Sequence, residues 1–143
     1  MLNQLNSTTK RELDAKYLSV YLDTEHEVGR FGDDTLYSIT IDCGLLWNSQ
    51  AKSITTQIVA DKIIAIDGIA ISSTNIINLP HVGTGSGDGH VALNINKNSS
   101  NVLTIVITSN SDRTTYTGYV TLYYTKPAPA PNPKDSNETP TQP

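Results

Sequence analysis

The segment with the most obvious capacity for chemistry is a glycine-rich stretch between two histidines. Residues 83–89 read GTGSGDG, and His81 and His90 bracket them. A dinucleotide fingerprint needs its glycines between a strand and a helix, whereas a strand pattern follows here and no GK[ST] is present. His81, Asp88 and His90 are residue types that bind zinc, which leaves a metal site as an alternative. We interpret the stretch as an exposed loop and expect neither a cofactor nor a metal.

An acidic cluster and the single cysteine are two further candidates for a reactive site. Residues 23–27, with Asp33 and Asp34, form an acidic cluster that lacks the spacing of an EF-hand loop, and we interpret it as a solvated turn. Cys43 lies within an alternating apolar pattern, so we expect a small buried hydrophobe rather than a nucleophile. No G-x-S-x-G elbow is present. We therefore expect no catalytic residue, and a chain that is not an enzyme.

The overall composition favours strands and excludes several classes of partner. Among 143 residues there are 14 Ile but one Phe and one Trp, a β-branched bias that favours strands. The net charge is -4 and no basic stretch exists, which argues against nucleic acid as a partner. Apolar runs are far shorter than the roughly 20 residues of a membrane span, so we expect no membrane partner. Residues 1–10 have no apolar core of the kind a signal peptide needs.

The middle of the chain reads as a succession of short strands in which apolar and polar residues alternate. This period of two is typical of strands with one buried face. Asp67 and Gly68 are predicted to form the turn of a hairpin, and the last three strands are predicted to form a meander. The fold class is all-β, a single antiparallel β-sandwich, with a jelly roll as one form of it. The predicted strands are residues 17–22, 37–43, 54–60, 62–66, 69–72, 75–79, 91–96, 102–108 and 116–124.

Changes in composition divide the chain into an arm, a sandwich and a tail. Residues 1–16 are polar, with a short helix predicted after the capping box that starts at Thr9. Residues 17–125 form the sandwich domain. Residues 126–143 contain six of the seven prolines and are predicted to be disordered or extended. We expect the arm to bind other subunits through its apolar anchors, Leu2, Leu5 and Leu13.

The final predicted strand carries tyrosines on both faces. One face should fill the core, while the other should present Tyr119 and Tyr123. These amphipathic rings suit a protein interface or a sugar stack. We therefore count Tyr119 and Tyr123 among the candidate partner-binding residues.

The chain resembles small structural proteins of tailed-bacteriophage virions. The resemblance is carried by three features: a polar arm, an Ile/Thr/Asn-rich sandwich without cysteine pairs, and the closing strand YTGYVTLYY. Capsid decoration proteins, head fibres and tail-fibre modules share this style. The resemblance implies a non-enzymatic virion component, most simply a capsid decoration or accessory protein, that binds capsid or tail subunits and forms a homo-oligomer. The alternative is a carbohydrate- or receptor-binding module of a tail fibre or adhesin. Such a module would bind a glycan on Tyr119, Tyr123 or Trp47.

Overall fold

The computed structural model describes residues 22–83 and 89–129, and neither range contains a helix. Eight strands make up most of both ranges. The helix predicted after Thr9 and most of the strand predicted over residues 17–22 lie outside the described residues. The strands are β1 (His26–Phe31), β2 (Asp34–Leu45), β3 (Ala51–Val59), β4 (Ile63–Ile71), β5 (Ile76–Leu79), β6 (Val91–Lys97), β7 (Val102–Ser109) and β8 (Thr117–Tyr124).

The strands form two antiparallel sheets that pack face to face. The five-stranded sheet has the order β1-β2-β8-β4-β5, and the three-stranded sheet has the order β3-β7-β6. One hydrophobic core joins them, with Ile41 and Val120 from the larger sheet and Leu103, Ile105 and Ile107 from the smaller one. The predicted antiparallel β-sandwich is confirmed.

The alternation in the sequence explains which face of each strand is buried. In β2, Ile39, Ile41 and Cys43 are buried, while Thr40 and Asp42 between them lie on the outer face. In β8, the alternate residues from Gly118 to Tyr124 are buried in the same way. Burial of each large aliphatic side chain contributes roughly 1.5–3 kcal/mol to folding. A shift of one residue would expose this whole set, so the pattern fixes the register.

The predicted turn at Asp67-Gly68 is wrong, because β4 runs straight through both residues. Gly68 lies opposite Leu79 of β5 and Val120 of β8. A Cβ atom on Gly68 would lie 2.8 Å from the Leu79 Cβ and 3.0 Å from a Leu93 methyl. The glycine therefore serves close approach between strands rather than a turn. The actual reversal follows at Ser72, whose N–H donates to the Asn75 carbonyl at 2.8 Å.

The predicted meander of the last three strands is wrong in its final step. β6 and β7 pair as expected, with the turn after Asn98 between them. β8, however, crosses to the other sheet and inserts between β2 and β4. The connection over residues 110–116 is longer than a usual hairpin loop, which lets the chain cross the core. Within this connection, Arg113 donates to the carbonyl of Gly89, just before β6, at 2.8 Å.

The alternating pattern does not predict β1, because most residues of this strand are exposed and half of them are charged or polar. It pairs with the start of β2 through a hairpin whose loop is Gly32-Asp33. Gly32 has φ +63°, a conformation that glycine adopts without steric cost. The acidic segment that we interpreted as a solvated turn thus contributes an edge strand to the larger sheet.

Candidate interaction surfaces

The outer face of the five-stranded sheet presents both tyrosines that the sequence singled out. β8 is the central strand of this sheet, and Tyr119 and Tyr123 project from its outer face, each half-buried. Tyr119 lies opposite Asp42 of β2 and Ile69 of β4, whereas Tyr123 lies opposite Ser38 and Ala65. Four residues along a strand separate the two rings by about 13 Å. They therefore belong to different parts of the same face.

Around Tyr119, the register assembles an exposed apolar cluster. One row across the sheet brings together Leu45, Thr117, Ile71 and Ile76, and the next row contains Tyr119 beside Ile69. Leu45 is 57% exposed, Ile76 68% and Ile69 37%. Contiguous apolar surface of this kind usually marks an interaction site. We call this cluster the outer patch: Leu45, Ile69, Ile71, Ile76 and Tyr119.

The strands that carry the outer patch are acidic. β2, β4, β5 and β8 contain Asp34, Asp42 and Asp67 but no lysine, arginine or histidine. Asp34, however, is paired with the Lys62 ammonium at 3.1 Å, and the Lys52 ammonium donates to the Leu45 carbonyl at 2.7 Å. The outer patch is therefore bordered by charges of both signs.

Around Tyr123 the same face has a different, polar character. A depression of about 310 Å³ lies there between β1, β2 and β8. Hydroxyl groups of Ser38, Thr40 and Thr121 line it, and the Thr40 and Thr121 oxygens are 2.8 Å apart. His26 and Val28 of β1 complete its wall. An aromatic ring beside several hydroxyls is the chemistry that a sugar-binding site uses.

The glycine-rich stretch contributes no assembled reactive site among the described residues. The ring Nδ1 of His90 accepts a hydrogen bond from the Gly83 backbone N–H at 3.2 Å. The backbone N–H of His90 donates to Oδ1 of Asn110 at 2.7 Å. His81 pairs its backbone with Val91 of β6. Asp88, the third residue of the alternative metal site, lies outside the described residues. Over residues 22–83 and 89–129, no three metal-binding side chains form a group that could hold an ion.

Two carboxylates of the acidic cluster near β1, Asp34 and Glu25, make contacts within the fold. Asp34 lies 3.1 Å from the Lys62 ammonium. Glu25 accepts hydrogen bonds from the Tyr124 hydroxyl and the Lys126 ammonium. Burial and the hydrogen bond to Glu25 raise the pKa of Tyr124 well above its ordinary value. Lys126 also lies 4.3 Å from the centre of the Tyr37 ring. These contacts attach the first residue of the tail to the sandwich.

Cys43 lies in the core, as the sequence predicts. Its side chain is 3% exposed, and burial, with a smaller contribution from Asp42, raises the pKa of its thiol to about 11. A thiol of this kind is a weak nucleophile at neutral pH.

A groove runs along the side of the sandwich where β2 of one sheet faces β3 of the other. It consists of two depressions, of about 580 and 300 Å³, that share Asp23, Ile39, Gln57 and Ile58 in their linings. Ile41 and Ile54 belong to the smaller depression, and Tyr124 belongs to the larger one. We call this feature the open-side groove. Its floor is formed by side chains that also belong to the core.

The other predicted partner-binding residues are not brought to these surfaces by the described part of the chain. Leu2, Leu5 and Leu13 lie outside the described residues. Trp47, the alternative sugar platform, belongs to the connection between β2 and β3 and is 46% exposed. It is therefore not on the strand face that carries Tyr119 and Tyr123.

Sequence reasoning found the tyrosines but missed the aliphatic part of the outer patch. Leu45 ends β2, whereas Ile69 and Ile76 lie on β4 and β5, more than 20 residues later in the sequence. Their segments are also apolar on both faces, so alternation does not mark the outward residues. Knowledge that β8 inserts between β2 and β4 would have revealed the patch.

Comparison of the chain with known protein families, with curated proteins and with solved structures finds no match in any of the three. In the described ranges, no helix has the length and apolar character to cross a membrane.

Proposed function

We propose that this chain is a non-enzymatic structural subunit of a virion, of the capsid decoration or accessory type. It attaches to copies of itself and to other virion subunits through the outer face of its five-stranded sheet and through its terminal arms. The fold would then act as a rigid platform, and binding would depend on surface complementarity.

The observation that carries this proposal is the outer patch. Four aliphatic side chains and Tyr119 lie on adjacent strands of one flat sheet face. Leu45 and Ile76 are more than half exposed, so they would gain the most from burial against a second protein. A central apolar cluster with a polar surround is the usual anatomy of a protein interface. Asp42 and Asp67 supply part of that surround.

The arms add the second means of attachment in this proposal. Leu2, Leu5 and Leu13 are the apolar residues of a segment that is otherwise polar. Short leucine-bearing arms of this composition cannot build a core and gain stability by docking on another surface. We therefore assign them to contacts with neighbouring subunits.

A test of the interface replaces Ile76 by aspartate in the full chain. The exposed carboxylate would oppose burial of the outer patch, so Ile76→Asp should abolish concentration-dependent self-association in sedimentation velocity. Thr74→Asp is the matched control, because Thr74 is exposed in the turn of the same β4–β5 hairpin. A wild-type chain that stays monomeric at all concentrations, or an Ile76→Asp variant that still assembles, would contradict the proposal.

A test of the virion role asks where the protein is found when it is expressed in its natural context. The proposal expects a fixed number of copies to band with particles in a density gradient, and Ile76→Asp to remain in the particle-free fraction. Recovery of the wild-type chain only in the particle-free fraction would refute the virion role without affecting the interface test.

The depression beside Tyr123 favours a second candidate, a carbohydrate-binding module. Its hydroxyls and aromatic wall match a sugar ring in size and chemistry. A glycan array with wild type, Tyr123→Ala and Ile76→Asp separates the two candidates. Binding that is lost in Tyr123→Ala and retained in Ile76→Asp would support the module. An array without any bound glycan would remove it.

A further inference from the structure

One edge of the five-stranded sheet is a short strand with exposed apolar side chains. β1 stands at one end of the strand order and, within the described residues, pairs only with β2. Its sequence is HEVGRF, and five of its six residues are exposed. Val28 is 50% exposed and Phe31 48%. Strand edges are templates for pairing with another chain, and apolar side chains on such an edge gain from being covered.

The register of β1 against β2 assigns its side chains to the two faces of the sheet. Glu27 and Arg30 lie opposite Tyr37 and Thr35, so both belong to the face that carries Tyr37, a residue packed against the core. A bulge lies between Glu27 and Gly29 and shifts the alternation by one residue. The outer face carries the remaining residues, which lie opposite outer residues of β2 or line the depression beside Tyr123: His26, Val28, Gly29 and Phe31.

This order of faces reads the same in both directions, which makes β1 complementary to a second copy of itself. In an antiparallel pair, residues directly opposite each other lie on the same face. When the pair is centred between Val28 and Gly29, Glu27 of each copy lies opposite Arg30 of the other, and the faces match at all six positions. A shift of one residue in either direction would place outer side chains opposite core-side ones. Opposite charges therefore meet twice in the one register that the faces allow.

The side chains that this pairing needs are available for it. Among the residues that the structure describes, the Glu27 carboxylate makes no ion pair. Arg30 donates one hydrogen bond to the Asp33 carbonyl at 2.7 Å, and its other guanidinium donors can bind a carboxylate. Gly29 has no side chain, so it leaves room for Val28 of one copy to approach Phe31 of the other on the outer face.

We propose that two copies of this chain pair antiparallel along β1, so that their five-stranded sheets form one continuous sheet. Glu27 and Arg30 set the register, and Val28 and Phe31 are covered on the outer face. Two six-residue strands cover less than the roughly 1,000 Å² of a stable interface, so this contact is weak between free copies. It is separate from the outer patch, which extends to β5 at the opposite edge of the sheet. One copy can therefore use both surfaces at once.

Crosslinking in the full chain tests the site. Val28→Cys, treated with a short bismaleimide, should give a crosslinked dimer, because the two Val28 positions lie diagonally across the centre of the pair. Cys43 is buried and should stay unmodified. Ser99→Cys is the matched control, since Ser99 is exposed in the turn between β6 and β7, and it should give little dimer. A yield from Val28→Cys no higher than that from Ser99→Cys would overturn the proposal.

Charge reversal in the Val28→Cys background tests the register. Glu27→Arg or Arg30→Glu should lower the dimer yield by about fivefold or more, because each places like charges opposite each other twice. The two reversals together should restore the yield, although the contact between Arg30 and the Asp33 carbonyl is then lost. Added salt should lower the yield from the native charges and raise it in either single reversal. A double reversal that stays as low as the single ones would rule out this register.

The same variants separate edge pairing from the role of the outer patch, because Glu27 and Arg30 are not part of that patch. A charge-dependent crosslink in a chain that sediments as a monomer would support edge pairing and refute the outer patch. Self-association that Ile76→Asp abolishes, without a charge-dependent crosslink at Val28→Cys, would overturn edge pairing and leave the outer patch intact.

Discussion

The two sides of the sandwich differ in how the sheets are joined. On the side of β5 and β6 the backbone of His81 pairs with Val91, with N···O distances of 2.9 and 3.0 Å in the two directions. Gly68 allows Leu79 and Leu93 to pack closely there. On the side of β2 and β3 the sheets are separated by the open-side groove. We call the first the closed side.

This difference shows that the same alternating pattern produces a sealed core only where the backbone also bridges the sheets. Leu79 on the closed side and Ile39 on the open side are both buried. Ile39, however, lines the groove, together with Asp23 and Tyr124. Core side chains therefore border a groove on the open side, whereas a backbone bridge joins the two sheets on the closed side.

The largest expected effect comes from truncation on the closed side. Leu79→Ala should lower the free energy of unfolding by about 2–5 kcal/mol, because the lost side chain leaves a cavity that the tight packing cannot fill. Ile54→Ala, on the smaller depression of the open side, should cost less than about 2 kcal/mol, because the space opens into the groove. Urea unfolding of both variants measures the difference. Equal costs would mean that Ile54 is covered as fully as Leu79, and the comparison would fail.

The second-largest effect is expected from a substitution at Gly68, where Leu79 and Leu93 pack closely on the closed side. Gly68→Ala should destabilise the protein by about 1–3 kcal/mol, since the new methyl group would overlap Leu79 and Leu93. Asp67→Ala is the control on the same strand, and as an exposed substitution it should change stability by no more than about 0.5 kcal/mol. If Gly68→Ala were neutral, the sheets would be looser on this side than the structure indicates.

Gly68 also illustrates how far the sequence predicts the fold. The alternation in residues 37–43 and 91–96 predicts strands, faces and the sandwich class, because burial of one strand face is a local property of the sequence. The Asp67-Gly68 prediction failed because the need for close packing against Leu79 and Leu93 involves distant residues. The same limit explains why the outer patch was missed, since its register depends on where β8 inserts.

A third prediction concerns the group of side chains that borders the open-side groove. Tyr124→Phe removes the hydrogen bond to Glu25 and should cost about 0.5–1.5 kcal/mol. The raised pKa of Tyr124 also favours its neutral form in the folded state. The unfolded chain therefore releases this proton first, and stability should fall as the pH rises above 10.0, the ordinary pKa.

Urea unfolding between pH 8 and pH 11 measures this dependence. The decline should be shallower in Tyr124→Phe than in wild type. The pKa of Cys43, raised by burial to about 11, contributes equally to both proteins and cancels in their difference. Tyr119→Phe, on the outer face, is the control. Parallel curves for wild type and Tyr124→Phe would show that Tyr124 has no special environment.

The smallest expected effect comes from the ion pair at the rim of the groove. Lys126→Ala removes the contact with Glu25 and should cost at most about 1 kcal/mol, because both groups are partly exposed and screened. Lys126 also lies over the Tyr37 ring, whereas Lys62 pairs with Asp34 and has no ring contact among those described. Added salt should therefore weaken the effect of Lys126→Ala less than that of Lys62→Ala, since the ring contact adds to the ion pair. Identical salt dependence in the two variants would show that the tail is held at the groove by charge alone.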